Sequence, residues 1–600
     1  MGGTVMDREE LDKLAEVILN LDDPRDFDKY MPHMSAYEFV RDCNKDRMGL
    51  NAINYFGRIY TFDEFFSKID DIAKGFVELG VKPKDRVGMS MLATPEAIMT
   101  IYALNKVGAH IYMICGTHDK VLIEDEIKNS DAKLLIINSI LYNQDVSKFC
   151  DEAGVEKVIS VGLDESTPVG FYADAAKFKY IKMLATIKGS CYKDDKVITW
   201  KDFYDISRFS NKVVVPFYEK GAPAISATTS GTNGKPKRPV HSCDSFNAMP
   251  IQMGMSYKEI EPGDAIFTTL PTWIDYCTEN CINEAIVHGA CVCLDPIFNP
   301  DHVSKRFRQY DFNHWNTIPA YLEGMVKDKG MKNMDLSRMK TITTGGDFRT
   351  PKLKERAEEV LRRNNCFIEV GQGYGYTQGL GAVASTYMKG VPANSVGKPV
   401  VGNWVKIVDI DSKEEKVLGL NECGILYTYS PCQMLYYDKD EEATKEAFVV
   451  DERGIPWYNT EDAATIDENG MLYIYDRIGK MHMVSDDKGQ PAKIFPGKVK
   501  QIISMYPGII ECEVIVIPDQ KRISAPVAYV VLGEGIEYSG KLPSKINDFC
   551  CQNKLESYSL PIDYVFVDKI PKTPALKVDY NELLRDYENR NNYQVIRKRK

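Results

Sequence analysis

The stretch that decides the fold of this chain is Thr228-Thr229-Ser230-Gly231-Thr232-Asn233-Gly234-Lys235-Pro236-Lys237. Its first seven residues include two glycines and four hydroxyl side chains. Backbone N–H groups and hydroxyls at this density form a concave site for an anion. A Walker A loop is excluded, because only two residues separate Gly231 from Gly234 and Pro236 follows Lys235 where Ser or Thr is required. The stretch predicts a phosphate-binding loop of another kind.

Helical and extended patterns alternate on both sides of this loop. Thr61 and Glu64 predict a capping box that begins an amphipathic helix, and Gly80 ends it. Thr94-Pro95-Glu96 begins a second helix that runs to about Val107. Short apolar strands are predicted between and after these helices, at 86–92, 111–114, 134–137 and 158–161. Strands that alternate with helices predict parallel sheets of the doubly wound α/β class.

The pattern changes near the C-terminal end. The alternation resumes after residue 220 and continues to about residue 475, including a strand at 265–270. From about residue 498 a short helix and two strands, at 510–517 and 527–532, indicate a compact α+β unit. The sequence therefore predicts a large domain over residues 1–477 and a small one over residues 478–600.

Composition excludes several classes of function. The net charge of -11 makes nucleic acid an unfavourable partner, because phosphate backbones attract basic surfaces. The fifteen cysteines are scattered without a CxxC spacing, which favours free thiols in a reducing compartment over a metal site. No apolar run reaches the length of about 18 residues that a spanning helix needs. We expect a cytoplasmic protein without stable membrane insertion.

Four further segments carry polar residues in a fixed order after the loop. They are 344–347 (TGGD), 373–378 (GYGYTQ), 458–462 (YNTED, followed by Asp476-Arg477) and 571–577 (PKTPALK). Alone, the glycines at 371–375 resemble a dinucleotide loop, but the GxGxxG pattern requires glycine at Tyr376.

Together with the loop, these five signatures resemble those of the adenylate-forming, acyl-CoA synthetase-like enzymes over roughly residues 40–580. The resemblance implies ATP-dependent activation of a carboxylic acid as its acyl-AMP, with release of pyrophosphate and transfer to the thiol of coenzyme A. It also implies a β-barrel-like subdomain in the large domain and a mobile small domain. ATP, Mg²⁺ and coenzyme A are the expected cofactors.

The resemblance assigns roles to individual residues. Lys577 is the implied catalytic lysine, Thr232 and Gln378 complete the catalytic set, and Gln378 is the implied magnesium ligand. Gly479 stands at the implied hinge. The acid pocket is expected to include Trp273, Ile274, Gly345 and Gly373. The implied nucleotide-binding residues are Thr229, Ser230, Gly231, Thr232, Asn233, Gly234, Lys235, Lys237, Gly346, Asp347, Phe348, Tyr374, Gly375, Tyr376, Thr377, Asp462 and Arg477.

The chain departs from the family pattern at several of these positions. Gln378 replaces a glutamate, and an amide oxygen is a weaker magnesium ligand than a carboxylate. Glu461 and Leu576 replace glycines, and Asn233 replaces the usual threonine. These departures keep open a non-catalytic nucleotide-binding homologue. A second alternative is a ligase that loads the phosphopantetheine of a separate carrier protein.

The acid itself is weakly specified. Ile274 stands where many acyl-CoA synthetases have histidine, and Trp273 and Tyr276 are either pocket or core aromatics. No aspartate for a substrate amino group is evident in the usual segment, although Asp275 and Asp244 are candidates. The sequence favours a fatty or aryl acid over an amino acid.

Overall fold

A computed structural model describes residues 8–168, 192, 194–229, 236–257, 259–297, 299–412, 415–533, 536, 539–572 and 578–598. The α-helices of this part of the chain are α1 (Arg8–Leu19), α2 (Ala36–Cys43), α3 (Phe62–Glu78), α4 (Pro95–Val107), α5 (Lys120–Asn129), α6 (Gln144–Ala153), α7 (Trp200–Phe209), α8 (Cys243–Ser256), α9 (Glu284–Val287), α10 (Val303–Gln309), α11 (Pro319–Lys327), α12 (Pro351–Arg363), α13 (Glu441–Ala447), α14 (Pro496–Ser504), α15 (Leu542–Gln552) and α16 (Tyr580–Lys598). A π-helix, Tyr276–Asn283, runs directly into α9.

The strands before the phosphate loop and through the large sheets are β1 (Asn51–Tyr55), β2 (Arg58–Thr61), β3 (Arg86–Ser90), β4 (His110–Met113), β5 (Leu134–Asn138), β6 (Lys157–Val161), β7 (Val197–Thr199), β8 (Pro223–Ser226), β9 (Pro239–Ser242), β10 (Ala265–Thr268), β11 (Cys291–Leu294), β12 (His314–Thr317), β13 (Thr341–Thr344), β14 (Val370–Tyr376), β15 (Gly381–Ser385) and β16 (Lys398–Pro399). The later strands are β17 (Trp404–Val408), β18 (Gly424–Tyr429), β19 (Tyr436–Tyr437), β20 (Phe448–Val450), β21 (Pro456–Ile466), β22 (Leu472–Arg477), β23 (His482–Ser485), β24 (Pro491–Ile494), β25 (Ile509–Asp519), β26 (Ile523–Leu532) and β27 (Asp563–Phe566).

The predicted capping box at the start of α3 is present. The Thr61 side chain accepts a hydrogen bond from the backbone N–H of Glu64, and the Glu64 side chain accepts one from the backbone of Thr61. Phe65, Ile69 and Phe76 lie on the same face, and all three are fully buried. Local capping and the 3.6-residue period therefore agree, and the helix forms where the sequence predicts it.

Two large, mainly parallel sheets form the body of the protein. Their strand orders are β19-β9-β8-β4-β3-β5-β6-β7 and β16-β15-β14-β13-β12-β10-β11-β1-β2. Strands β3 to β8 pair in parallel, as do β10 to β14, so the carboxyl ends of each set meet at one edge. Ligands of open parallel sheets bind at that edge. The predicted α/β class with doubly wound sheets is confirmed.

A smaller antiparallel layer follows the large sheets. Strand β21 pairs with β18, β20 and β22, and β17 completes the sheet at the far side of β18. This open five-stranded sheet stands where the barrel-like subdomain is expected. Its β21–β22 pair carries two of the residues predicted to bind nucleotide.

The C-terminal unit is a compact α+β structure. The three-stranded sheet β25-β26-β27 has one face packed against α14 and α15, and residues of α16 pack on the other. A 3₁₀ turn, Ile478–Lys480, connects this unit to β22. The division after residue 477 stays a prediction. Among the described residues, no helix combines the length and apolar character needed to cross a membrane.

Candidate active site

The two ends of the phosphate loop are held together by backbone contacts. The N–H of Thr229 donates to the carbonyl of Lys237 at 2.9 Å, and the N–H of Lys237 donates to Oγ1 of Thr229 at 3.0 Å. The predicted residues between them, namely Ser230, Gly231, Thr232, Asn233, Gly234 and Lys235, lie outside the described residues. The Nζ of Lys237 lies 5.1 Å from the centre of the Tyr437 ring. Thr229 and Lys237, which form the neck of the loop, therefore lie together just after the carboxyl end of β8.

From the sequence alone no role was assigned to Arg238, whose side chain contacts Thr228 beside the neck of the loop. Its guanidinium is buried and lies 3.6 Å from the centre of the Tyr112 ring. Nη1 donates to the carbonyl of Met113 at 2.6 Å, and Nη2 donates to Glu126 at 3.0 Å. The hydroxyl of Thr228 also donates to Glu126. The only signal in the sequence was a basic residue directly after the loop, because Tyr112, Met113 and Glu126 are more than a hundred residues away.

The glycines after β13 lie at the carboxyl edge of the second sheet. The N–H of Gly345 donates to the carbonyl of Thr317 at 3.0 Å, and Gly346 has a φ of 79°, which favours glycine. Asp347 is exposed and Phe348 is half-buried. Gly346 and Asp347 are therefore accessible at an edge that the resemblance assigns to the nucleotide, whereas Gly345 is buried.

Strand β14 extends from the sheet toward the antiparallel layer. A side chain at Gly375 would collide with the backbone of Gly381, its Cβ lying 1.9 Å from that carbonyl oxygen, so glycine is required. The rings of Tyr376 and Tyr458 stack at 5.2 Å. His241 contacts the carbonyl of Thr377 at 2.9 Å. The predicted nucleotide residues of β14 thus form one rigid aromatic wall.

Asp462 and Arg477, both among the implied nucleotide-binding residues and assigned by the resemblance to the ribose, are direct neighbours across β21 and β22. The Nε of Arg477 lies 3.1 Å from Oδ1 of Asp462, and the hydroxyl of Tyr374 donates to Oδ2 at 2.5 Å. Burial raises the pKa of Asp462, while Arg477 and the Tyr374 hydroxyl oppose that rise. Three residues that are distant in the sequence therefore meet at one point. A carboxylate held this way suits two ribose hydroxyls.

Glu461, the neighbour of Asp462, has a backbone of the glycine type. Its φ is 58°, and its N–H donates to Oδ1 of Asn459 at 2.9 Å. This conformation costs a non-glycine residue about 1–2 kcal/mol. The turn expected from the family is thus kept without the residue that adopts it most easily.

Gln378 is buried beside the aromatic wall. Its Nε2 donates to the hydroxyl of Tyr437 at 2.8 Å, which leaves the carbonyl oxygen as the atom able to act as a metal ligand. Within the described ranges, no three His, Cys, Asp or Glu side chains form a group that could hold a metal ion. The side chain therefore fits a magnesium ion only as a single neutral ligand, with ATP phosphates and water supplying the rest.

The segment after β10 contains the predicted acid-pocket aromatics. Trp273 is buried in the main core, whereas Ile274 is 40% exposed. The Tyr276 ring lies against Gly345, such that a Cβ at Gly345 would be 3.2 Å from the ring. A Cβ at Gly373 would have its nearest non-neighbouring atoms, in Ala384 and Ser385, at 3.8 Å. Tyr276, Gly345 and Gly373 share this edge, but Trp273 functions as a core residue.

The two candidate aspartates differ sharply. Asp244 accepts hydrogen bonds from the Tyr218 hydroxyl at 2.7 Å and from the Gly221 N–H at 3.0 Å. Asp275 is buried, its Oδ2 has no hydrogen-bond partner among the described residues, and burial raises its pKa to about 7. Arg238 opposes that shift. Of the two, Asp275 alone has an oxygen that lacks a hydrogen-bond donor.

The hinge and the catalytic lysine lie at the junction with the C-terminal unit. Gly479 is exposed within the 3₁₀ turn after β22. Lys577 and Leu576 lie outside the described residues, but Lys572 and Val578 form a bridge that closes the segment between them. Lys572 itself pairs with Glu511 at 3.0 Å. The roles of Gly479 and Lys577 stay predictions.

Family comparison agrees with this geometry. A model described as AMP-binding enzyme matches residues 39–438, and one described as AMP-binding enzyme C-terminal domain matches residues 498–577. The chain belongs to the AMP-binding enzyme family. As a member of this family it is an AMP-forming acid–thiol ligase that uses ATP.

Individual relatives of this AMP-binding enzyme span most of its length. It is 26% identical to a 3-hydroxypropionyl-coenzyme A synthetase of Sulfurisphaera tokodaii over 546 residues, covering 87% of this chain and 77% of the relative. It is 25% identical to a luciferin 4-monooxygenase of Nipponoluciola cruciata over 542 residues, covering 88% and 89%. Similarity to enzymes with such different names supports the shared activation step more strongly than any one acid.

Solved structures show the same fold. Apo MatB from Rhodopseudomonas palustris superposes with a TM-score of 0.75 at 18% identity, covering 92% of this chain and 99% of that one. The anthranilate CoA ligase AuaEII in complex with anthranoyl-AMP gives a TM-score of 0.71 at 19% identity, covering 93% and 98%. At these identities the comparison shows the fold alone and says nothing about which ligands this chain binds.

Proposed function

We propose that this AMP-binding enzyme activates a short carboxylic acid bearing a hydroxyl or ammonium group, and transfers the acyl group to coenzyme A. The observation that carries the proposal is the contact between the Tyr276 ring and Gly345. The fatty or aryl acid that the sequence favours stays a prediction without a test, and this contact argues against it.

The Tyr276 ring occupies the space over Gly345 where a flat or long acyl group would lie. Its hydroxyl donates to the carbonyls of Thr317 and Thr343 at 3.4 and 3.3 Å, so both ends of the side chain are fixed. A substrate ring inserted between Tyr276 and Gly345 would need two layers of contact, each about 3.5–4.0 Å thick. A Cβ at Gly345 would already lie 3.2 Å from the Tyr276 ring, so the gap between these two residues has no room for a substrate ring. A short acid reaches the nucleotide without displacing the tyrosine.

The carboxyl group of Asp275 supports a polar substituent on that acid. A buried oxygen without a hydrogen-bond partner is costly, by about 1–3 kcal/mol. A hydroxyl or ammonium group on the substrate would supply the missing donor. An ammonium group would also lower the raised pKa of Asp275 by favouring its charged form. The relative named 3-hydroxypropionyl-coenzyme A synthetase is compatible with an acid of this size and polarity.

The first half-reaction joins the acid to the α-phosphorus of ATP. A carboxylate oxygen attacks that phosphorus, a P–O bond forms, the bond to the bridging oxygen breaks, and pyrophosphate leaves with the electron pair. Asp462 and Arg477 would anchor the ribose while the 228–237 loop holds the β- and γ-phosphates. The charge of Lys577 would stabilise the transition state. These roles are mainly positioning and electrostatics.

Magnesium would neutralise charge on the phosphates during this step. Gln378 is the residue that would face the ion, through its carbonyl oxygen, because its amide nitrogen is used by Tyr437. A single neutral ligand suits an ion that keeps water and phosphate oxygens around it.

The acceptor thiol is proposed to be that of coenzyme A, with a carrier protein as the second candidate. The turn between β23 and β24 carries Asp486 and Asp487. Two carboxylates near a thiol entrance would repel the phosphates of coenzyme A, but a carrier protein would feel this less. Salt screens exposed charges over about 8–10 Å, so the turn weakens rather than excludes coenzyme A. A relative in Streptomyces coeruleorubidus is named a fatty acid–[acyl-carrier-protein] ligase.

We also propose a cytoplasmic location. None of the cysteines in the described part of the chain is disulfide-bonded, and nearly all are buried or half-buried. Free thiols in this number suit a reducing compartment.

The test is acid-dependent pyrophosphate release with a matched panel of acids. The panel contains propionate, 3-hydroxypropionate, β-alanine, hexanoate and benzoate. Hexanoate tests the length of the acyl chain, benzoate tests an aromatic ring, and 3-hydroxypropionate and β-alanine test a hydrogen-bond donor against propionate. We expect the highest kcat/KM for one of the two C3 acids with a donor, and for Tyr276→Ala a gain of at least tenfold toward hexanoate or benzoate. Tyr276→Phe keeps the ring and is the control, with unchanged preference. High activity of the unmodified enzyme on hexanoate or benzoate would contradict the proposal.

Asp275→Asn provides the second arm of the test. It should lower kcat/KM for the C3 acid bearing a donor at least tenfold and leave propionate within a few-fold. Equal losses for both acids would mean that Asp275 is structural. Offering synthetic acyl-AMP with coenzyme A, and separately with phosphopantetheine-loaded carrier protein, decides the acceptor.

A further inference from the structure

A cysteine, a histidine and a glutamate meet beside the phosphate loop, outside the residues assigned to catalysis. Cys115 and His118 belong to the turn after β4, and Glu126 lies on α5. Strand β4 pairs in parallel with β8, whose carboxyl end leads into the phosphate loop. The turn at 115–118 and the loop at 228–237 therefore leave the same edge of the same sheet.

Glu126 connects the two segments. Its Oε2 accepts a hydrogen bond from the backbone N–H of Cys115 at 2.9 Å. Its Oε1 accepts hydrogen bonds from Nη2 of Arg238 at 3.0 Å and from the hydroxyl of Thr228. The same oxygen lies 3.7 Å from Nδ1 of His118. One buried carboxylate thus holds the turn, the loop neck and the imidazole together.

The cluster has the chemistry of an activated thiol. Burial by itself would raise the pKa of Cys115, but the nearby His118 and the Thr117 hydroxyl, 3.4 Å from Sγ, outweigh it and lower that pKa. Cys115, followed by Glu126, raises the pKa of His118 to about 10. A cysteine whose pKa is lowered by a nearby imidazole, which itself lies 3.7 Å from a carboxylate, is more nucleophilic than an ordinary buried thiol.

Two features separate Cys115 from the other described thiols. It is partly exposed, whereas Cys277, Cys281 and Cys512 are fully buried, and burial raises the pKa of each of these three. Cys243 and Cys423 are also partly exposed, but burial raises the pKa of both. Cys551 is more exposed, but it belongs to α15 and has no ion pair or hydrogen bond of this kind among the described residues. Exposure and an activating neighbourhood therefore coincide at Cys115.

We propose that Cys115 is a thiol-modification site that takes small disulfides, and that its modification weakens ATP binding. The thiolate attacks one sulfur of a low-molecular-weight disulfide, a new S–S bond forms, the original S–S bond breaks, and the other half leaves as a thiolate that is protonated by solvent. The added group displaces the 115–118 turn. Glu126 then loses its fixed position against Thr228 and Arg238, and the neck of the phosphate loop loosens.

Reactivity is tested first, with the reduced full-length protein and iodoacetamide as the probe. Rates of alkylation at each cysteine are followed by mass spectrometry at pH 6.5. We expect Cys115 to react at least tenfold faster than Cys551. His118→Gln should remove that advantage, and Cys551→Ser, the control, should leave it intact. Equal rates at the two cysteines would overturn the proposal.

The functional consequence is tested with oxidised glutathione. The adduct at Cys115 should raise the Kd for ATP at least fivefold, and dithiothreitol should reverse this. Cys115→Ser should show no change with glutathione, which separates the site from adducts elsewhere. By reciprocity, saturating ATP should lower the equilibrium constant for forming the glutathione adduct at Cys115 by the same factor and leave that at Cys551 unaffected. An adduct at Cys115 with an unchanged ATP affinity would overturn the link to the loop.

Discussion

The ribose corner and the phosphate corner of this site are built in different ways. The ribose corner consists of Tyr374, Asp462 and Arg477, which neighbouring strands and a hydrogen bond bring together before any ligand binds. The proposed phosphate corner comprises the 228–237 loop, Gln378 and the 571–577 segment. Contacts between Thr229 and Lys237 fix the ends of the loop, and Ser230 to Lys235 lie outside the described residues.

The family departures near the active site do not fall evenly on the two corners. Asn233, Gln378 and Leu576 all belong to the phosphate corner, whereas in the ribose corner only Glu461, a neighbour of Asp462, differs. A backbone ladder fixes the positions of its side chains whatever the ligand. The residues proposed to bind the triphosphate would share its charge with magnesium and water. We therefore expect the phosphate corner to tolerate substitutions that the ribose corner does not.

The largest effect is expected at Lys577 in the phosphate corner. Lys577→Ala should lower acid-dependent pyrophosphate exchange by about 10²–10³-fold, because a charge that stabilises the transition state is removed. Thioester formation from supplied acyl-AMP should be largely kept. Lys572→Ala, at the lysine paired with Glu511, is the control and should stay within a few-fold. Equal loss of both half-reactions would refute this division of labour.

The next largest effect is expected in the ribose corner. Asp462→Asn should raise KM for ATP by about 10- to 100-fold, since hydrogen bonds to a charged group contribute about 1.5–3 kcal/mol. Initial rates at saturating acid measure it. Asp476→Asn, one ladder position away and hydrogen-bonded to the Gly497 N–H, should change thermal stability but not KM for ATP. Similar KM effects for both variants would mean that the corner does not recognise ribose.

A moderate effect is expected from the magnesium contact. Gln378→Glu should lower the magnesium concentration for half-maximal adenylation by several-fold, because a carboxylate is the stronger ligand. Tyr437→Phe frees the amide and should shift the same curve in the opposite direction. Unchanged curves for both variants would place the ion elsewhere.

The smallest effect concerns the strained turn next to Asp462. Glu461→Gly should raise the free energy of unfolding by about 0.5–1 kcal/mol, as the gain from relieving a left-handed residue exceeds the entropy that glycine costs. Glu415→Gly, at another left-handed glutamate with a φ of 54°, is the matched control. Denaturant unfolding should show a similar gain for both, and only Glu461→Gly should alter KM for ATP. A loss of stability at Glu461 would mean that the Asn459 contact already removes the strain.

The raised pKa of buried Glu284 gives an independent check on stability. Burial raises its pKa to about 8, so its neutral form is favoured in the folded state. The contribution of Glu284 to the free energy of unfolding is fully present below the pKa that this residue has in the unfolded chain, and it is lost as pH rises through about 8. Glu284→Gln should flatten this part of the pH dependence of Tm. An equally steep decline in the variant would assign it to other groups.

Much of the fold could be read from the sequence because its signals are local. The capping box at Thr61, the helix begun by Pro95 and the alternation of apolar strands depend on neighbours within a few residues. The ordered signatures also located Asp462 and Arg477. Strand ends shifted by one or two residues, as at β3, because pairing rather than composition ends a strand.

The sequence by itself determined the α/β class, the family and the positions of the nucleotide signatures. Only the tertiary structure decided that Tyr276 covers Gly345, that Asp275 keeps a buried oxygen without a partner, and that Glu126 joins Cys115 to the phosphate loop. The physical reason is separation along the chain. Contacts across 70 to 110 residues depend on strand order and packing, which no local pattern encodes.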